Sequence, residues 1–334
     1  MRLGLTPPIE VMGFREAVKL CAAAEGLGYT DVWTAEVGAT DAFSPLAAIA
    51  TSTERVRLGT AVVPIFTRPA ALTAMSAAGI QQLSGGRFAL GIGTSSPAIV
   101  GQWMGLEFDP RVRRVEEYVE VLREALAGKK VTHRGETLRS ENFRLQVDPG
   151  PPVPIFIAAL GPRMCRLAGR VADGVLFYFM SPDGVRRALE DVAAGAREAG
   201  RDPGELDVFI RLPVAAGEDE ETARFMARRL LTGYAIVPAY NASLARQGFE
   251  EEAAGIAKAW AAGERDRATE LFSDRLLDEM FVIGEAGRCR SRIDAYRAAG
   301  VRTPVVMPLS FAGTPEERSE RVADAVRALA PGSS

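Results

Sequence analysis

Short apolar runs alternate along the chain with stretches whose apolar positions recur every three to four residues. The runs at 2–6, 31–35, 56–65 and 87–92 read as buried strands, since a continuous apolar run bounded by turn residues suits a strand covered on both faces. Helical spacing fills the gaps. Residues 14–27 put Ala17, Leu20, Cys21, Ala24 and Leu27 on one face and stop at Gly28. Residues 44–51 open with Ser44 as an N-cap and Pro45 in the first turn. A helix over 70–83 ends at Ser84-Gly85-Gly86, which turns the chain into the fourth strand.

After Thr94 the pattern loosens. Residues 112–127 are helical, and 129–147 are polar and β-like around Arg134-Gly135-Glu136, which predicts a small hairpin insertion. Strands at 153–159, 172–179 and 206–214 then alternate with helices at 162–171 and 182–199. The alanine-rich stretch 222–270 is helical but too long for one crossover, so it reads as a helical excursion. Short strands at 280–283 and 304–307 and helices at 285–300 and 315–329 finish the chain.

About eight strands, each with a helix, predict an α/β fold, a (β/α)8 TIM barrel with right-handed crossovers. Such a barrel needs about 250 residues. The 334 residues therefore leave room in a single domain (1–334) for a hairpin insertion after strand 4, about 104–152, and a late helical insertion, about 230–278. A doubly wound open sheet is the alternative, but no G-x-G-x-x-G follows the first strand.

Composition narrows the chemistry. Apolar residues are 47% of the chain, enough for a large core. A net charge of −3, with both signs mixed, gives no drive toward nucleic acid or an anionic membrane. The three cysteines, Cys21, Cys165 and Cys289, form neither a disulfide framework nor a zinc pattern, and His133 is the one histidine. Any Ser-His-Asp triad would rest on that residue, and no metal site is expected. No signal-peptide pattern and no apolar run of about 18 residues occurs, so a cytoplasmic location with no membrane contact is the expectation.

In a barrel the functional groups gather at the C-terminal ends of the strands. Few of those ends carry titratable side chains; Glu36 and Arg211 are the chief ones. That poorly serves a hydrolase needing paired carboxylates or a metal and suits a planar cofactor that brings its own chemistry. Gly93-Thr94-Ser95-Ser96 could offer backbone N–H groups and hydroxyls to a cofactor, or be a plain loop. The segment 158–164, with Gly161 before Pro162 and Arg163, is an anion site or an ordinary helix start.

Three motifs in order, "LGTAVVP" (58–64), "LSGGRFALGIG" (83–93) and "AGRVADG" (168–174), resemble the luciferase-like monooxygenase superfamily. The "GIGTSSP" version is most similar to the branch that uses the deazaflavin coenzyme F420; FMN-using branches share the fold. The resemblance implies a ring-shaped cofactor in the barrel mouth, backed by a strand-three bulge whose Ala61–Val62 peptide is cis. It implies that Gly93, Thr94 and Ser95 contact the cofactor and that Leu160, Gly161 and Arg163 line its phosphate end. Some deazaflavin dehydrogenases have a catalytic histidine where this chain has Val37 and an acid where it has Ser96. Those departures weigh against sugar-phosphate dehydrogenation.

On this reading Glu36 is the proton donor or ring-bonding group, with a structural salt bridge as the alternative. Trp33, Phe66, Trp103, Phe177 and Tyr178 would wall the pocket for a small-molecule substrate, or belong partly to the core. An F420-dependent oxidoreductase is the expectation. An FMN-dependent monooxygenase fed by a partner reductase is the alternative, and a non-catalytic ligand-binding relative a third reading. The resemblance further implies a homodimer.

Overall fold

Strands covered on both faces and helices with one apolar stripe are satisfied together when the helices wrap the sheet. The computed structural model, which describes residues 1–109, 112–311 and 313–332, has that arrangement. In chain order come β1 (Gly4–Leu5), β2 (Asp31–Thr34), β3 (Arg57–Thr60), its continuation β4 (Val63–Pro64), and β5 (Phe88–Gly93). An antiparallel hairpin, β6 (Val131–Arg134) and β7 (Arg139–Phe143), follows outside the barrel. Then come β8 (Ile155–Ala158), β9 (Gly174–Tyr178), β10 (Asp207–Ala216), β11 (Val282–Gly284) and β12 (Thr303–Pro308). All barrel pairings are parallel, and β12 closes the ring by pairing β1. Counting β3 and β4 as one, eight strands make the barrel.

The run predicted as a strand at 280–283 is not one of the eight. β10 pairs β12 directly over six positions, from Phe209↔Thr303 to Val214↔Pro308, which leaves no place between them. β11 instead pairs only with the last three residues of β10.

Phe14–Gly26 buries Ala17, Leu20, Cys21 and Ala24, the face read from the sequence. The helix Phe43–Ser52 is capped differently from expectation: Asp41, not Ser44, accepts the Phe43 and Ser44 N–H groups at 2.8 and 2.9 Å. The late insertion is four helices, Pro238–Leu244, Glu250–Ala261, Arg265–Glu270 and Asp274–Met280, behind the crossover helix Glu220–Ala235.

The barrel interior is plugged by Trp33, Ala89, Phe156, Leu176, Phe209 and Val305. The Trp33 ring meets Phe156 and Phe209 edge-on at 5.3 and 4.7 Å. It fits because β3 carries Gly59, where a Cβ would lie 2.2 Å from the indole. Below the plug, Arg57 joins Asp31 at 2.6 Å and Asp207 at 2.7 Å, and Arg2 joins Asp31 at 2.9 Å. The lower end is thus sealed by matched charges, and open chemistry is left to the upper end.

Candidate active site at the upper mouth of the barrel

Between β3 and β4 the strand breaks at Ala61–Val62, whose peptide is cis. Neighbouring strands lace this bulge in place. Ala61 donates to the Thr34 carbonyl at 2.6 Å, and the Glu36 N–H donates to the Val62 carbonyl at 3.2 Å. β5 lies close against it because it carries glycines. A Cβ on Gly91 would sit 1.9 Å from the Thr60 oxygen, and one on Gly93 would sit 2.8 Å from Val62 Cγ2 and 3.3 Å from Ala158 Cβ. Ala61, Val62, Gly93 and Ala158 therefore make a floor of small groups above the aromatic plug.

The turn after β5 leaves this floor through Ser95, whose φ of +64° is uncommon for a residue with a side chain. Thr94 and Ser95 are half-buried, and their hydroxyls make no hydrogen bond among the described residues. Ser96 accepts the Ile99 N–H at 3.4 Å and starts the helical turn Ala98–Trp103.

At the end of β8, Gly161 is the N-cap of the helix Pro162–Val171 and gives it no side-chain cap. Arg163 stands exposed in the first turn. Arg246, from the helical insertion, donates to the Leu160 carbonyl at 2.7 Å. Its guanidinium would be 3.4 Å from a Cβ on Gly161. Two arginines and an uncapped helix start form one electropositive end of the mouth. Nothing local in the sequence marks Arg246 for this place; it arrives through tertiary packing.

Glu36 is an ion-paired acceptor. Arg68 Nε lies 3.0 Å from both carboxylate oxygens, and the Ala42 N–H donates to Oε2 at 3.2 Å.

Across the mouth, Arg211 rises from β10 directly above Phe209 and donates to the Ala61 carbonyl at 3.3 Å. Its guanidinium carbon is 4.1 Å from the centre of the Tyr178 ring. Tyr234 and Tyr240, from the crossover helix and the insertion, stand edge-on to Tyr178 at 5.4 and 6.4 Å. Sequence reasoning names Tyr178 and Arg211 but misses both partners.

Three of the five expected pocket aromatics are elsewhere. Trp33 is wholly buried in the plug. Phe177 follows inward-facing Leu176 and so turns outward into the helical layer. Phe66 packs on Phe108 at 5.3 Å with Arg114 over its ring. Trp103 is 59% exposed and rests by Gly38 on the loop after β2, a rim position. Tyr178 alone of the five joins the inner wall.

No group of three potential metal ligands occurs among the described residues. Burial pushes the Cys165 thiol up to about 12 and Cys289 to about 11, which makes them poor nucleophiles. No helix among the described residues is long and apolar enough to cross a membrane. A cavity of about 810 Å³ lies outside the barrel, between Arg123, Arg144 and Val153, at the end opposite the mouth.

Residues 1–303 match the family model described as luciferase-like monooxygenase. A 5,10-methylenetetrahydromethanopterin reductase of Methanolobus tindarius is 32% identical over 281 residues, covering 83% of this chain and 85% of the relative. An F420-dependent glucose-6-phosphate dehydrogenase of Nakamurella multipartita is 33% identical over 241 residues, covering 67% and 70%. The solved coenzyme F420-dependent tetrahydromethanopterin reductase of Methanopyrus kandleri superposes with a TM-score of 0.78 at 25% identity, covering 97% of each chain.

Proposed function

The chain belongs to the luciferase-like monooxygenase family, and from that premise we propose that it is a cytoplasmic, F420-dependent oxidoreductase acting on a small organic substrate. The observation that carries this reading is the pairing of a flat floor with an electropositive end. A planar ring with an anionic tail fits a site where Ala61, Val62, Gly93 and Ala158 allow close approach and Leu160, Gly161, Arg163 and Arg246 gather positive charge. Bound there, the deazaflavin would supply a carbon centre that gives or takes a hydride.

The chain's own residues do the rest. The Thr94 and Ser95 hydroxyls, on the turn that leaves the floor, are spare donors and acceptors. The plug beneath the floor excludes water from below. Glu36 holds the loop after β2 against Val62, and we assign it to positioning, because Arg68 and the Ala42 N–H occupy its oxygens. Proton donation by Glu36 is set aside on that ground. Trp103 and Tyr178 are the aromatics retained for the substrate pocket.

We read all 334 residues as one barrel domain with its two insertions, and the protein as a homodimer. The helix Ala70–Leu83 leaves Leu72, Met75 and Leu83 exposed along its outer face, an apolar stripe suited to a second copy.

Fluorescence titration with F420 and with FMN tests the cofactor. F420 should bind with a Kd of about micromolar and FMN at least tenfold more weakly. Tight FMN binding without F420 binding would overturn the reading in favour of a monooxygenase served by a reductase.

A further inference from the structure

Arg211 is 9% exposed, yet it makes no ion pair among the described residues. Two other arginines held inside the barrel or against its bulge are paired. Arg57 has Asp31 and Asp207, and Arg68 has Glu36 and Asp41. Burying an unmatched charge is unfavourable, and proteins normally pair such groups. Arg211 has one backbone carbonyl, that of Ala61 at 3.3 Å, and the face of the Tyr178 ring. A guanidinium carries five N–H donors, so most remain uncommitted.

The groups around it are also donors. The Tyr178 hydroxyl is buried with no hydrogen-bond partner. Burial pushes the Tyr178 and Tyr240 phenols well above their ordinary range, so both keep their protons. Tyr234 completes the cluster, 5.1 Å from Tyr240 ring to ring. A cation and neutral phenols, with no carboxylate paired to them among the described residues, form a set with spare donors and no anion. One positive charge matches a monoanion such as a carboxylate better than a phosphate dianion, and the planar fork can hold both carboxylate oxygens.

We propose that Arg211, Tyr178, Tyr234 and Tyr240 form a carboxylate-binding corner of the mouth that takes the anionic group of the substrate. The corner lies on β9, β10 and the insertion; β9 neighbours β8, so the corner flanks the Leu160–Arg163 end assigned to the cofactor tail, while Arg211 reaches the other way, to the Ala61 carbonyl. The proposal rests on the mouth being the active site and narrows its substrates to small carboxylates.

The test uses 19F NMR titration of the full-length protein, with and without F420, by 4-fluorobenzoate and its uncharged counterpart 4-fluorobenzamide. The acid should bind about tenfold more tightly than the amide. Arg211→Gln should erase that preference, Arg211→Lys should keep part of it, and the F420 Kd should stay within about twofold in both. If Arg211→Gln does not fold, Tyr178→Phe should lower the preference by about threefold. Equal affinity for acid and amide, no binding of either, or a preference that survives Arg211→Gln (or, where that variant does not fold, Tyr178→Phe) would overturn the proposal. So would stronger competition by inorganic phosphate than by acetate, or an Arg211→Gln loss of F420 affinity as large as the loss of benzoate affinity. Acid preference through Arg211 in a protein that binds no F420 would leave this corner standing and remove the cofactor assignment instead.

Discussion

Arg68 closes on Glu36 with its Nε equidistant, at 3.0 Å, from the two carboxylate oxygens. The same guanidinium lies 5.0 Å over the Phe43 ring and 3.6 Å from Asp41, the residue that caps the following helix. The pair therefore ties the loop after β2 to the bulge of strand three. Glu36→Gln and Arg68→Met should each destabilise the fold by about 1–2 kcal/mol, and the double variant by less than their sum. Denaturant unfolding of the four proteins checks this. Additive losses would mean that the two side chains act independently.

Arg246 reaches the end of β8 from a distant helix and bonds the Leu160 carbonyl. Arg246→Ala should weaken F420 binding by about tenfold while shifting Tm little, since half-exposed charges add little stability. Fluorescence titration beside a thermal melt reads both quantities. Unchanged affinity would remove Arg246 from the cofactor end.

Gly93→Ala places a methyl 2.8 Å from Val62 Cγ2, and a β-branched side chain held in a bulge has little room to move. A cost of about 1–3 kcal/mol and a fall in F420 affinity of at least tenfold are expected. Wild-type binding by this variant would show that the floor is not where the ring lies.

Glu117 is a wholly buried carboxylate beneath the hairpin turn. Burial pushes it up, but the Thr137 hydroxyl, the N–H groups of Glu136 and Thr137, and Arg113 outweigh this and hold it at about 2. A carboxyl that titrates near 4.5 unfolded and about 2 folded gives stability that is complete above 4.5 and declines as the pH falls to about 2. Glu117→Gln should cost about 2–3 kcal/mol at neutral pH and flatten the acid limb of a Tm–pH curve. An acid limb identical to wild type would place the sensitivity in other carboxylates.

Met75→Glu puts a charge in the exposed apolar stripe of Ala70–Leu83. Sedimentation velocity should show a dimer for the wild type and a monomer for the variant, with the far-UV spectrum unchanged. A monomeric wild type would leave that stripe without the assigned role.

The barrel was legible because its signals are local. Gly28, the Ser84-Gly85-Gly86 turn and the hairpin around Gly135 punctuate helices and strands directly, and three motif segments mark strands 3, 4 and 6. Depth and inside-outside parity were not legible. In a parallel strand both faces are apolar, so Leu176 and Phe177 look alike until the pleat assigns one to the plug and the other to the helices. Trp33 points inward as a pocket residue would, but one layer too low. Tyr234, Tyr240 and Arg246 come from a segment whose periodicity describes its own packing and says nothing of where it docks.

That docking divides the protein into parts that can change at different rates. The floor and plug are set by glycines and aromatics with no spare room, and substitutions there disturb the whole barrel. The crossover helix and its insertion bring Tyr234 and Tyr240 to the Tyr178 corner and Arg246 to the neighbouring end of β8, all within 13 residues of sequence. A lineage could exchange this one segment and acquire new selectivity in a single recombination event, and a chimaera swapping 220–280 between relatives is the laboratory version of that event.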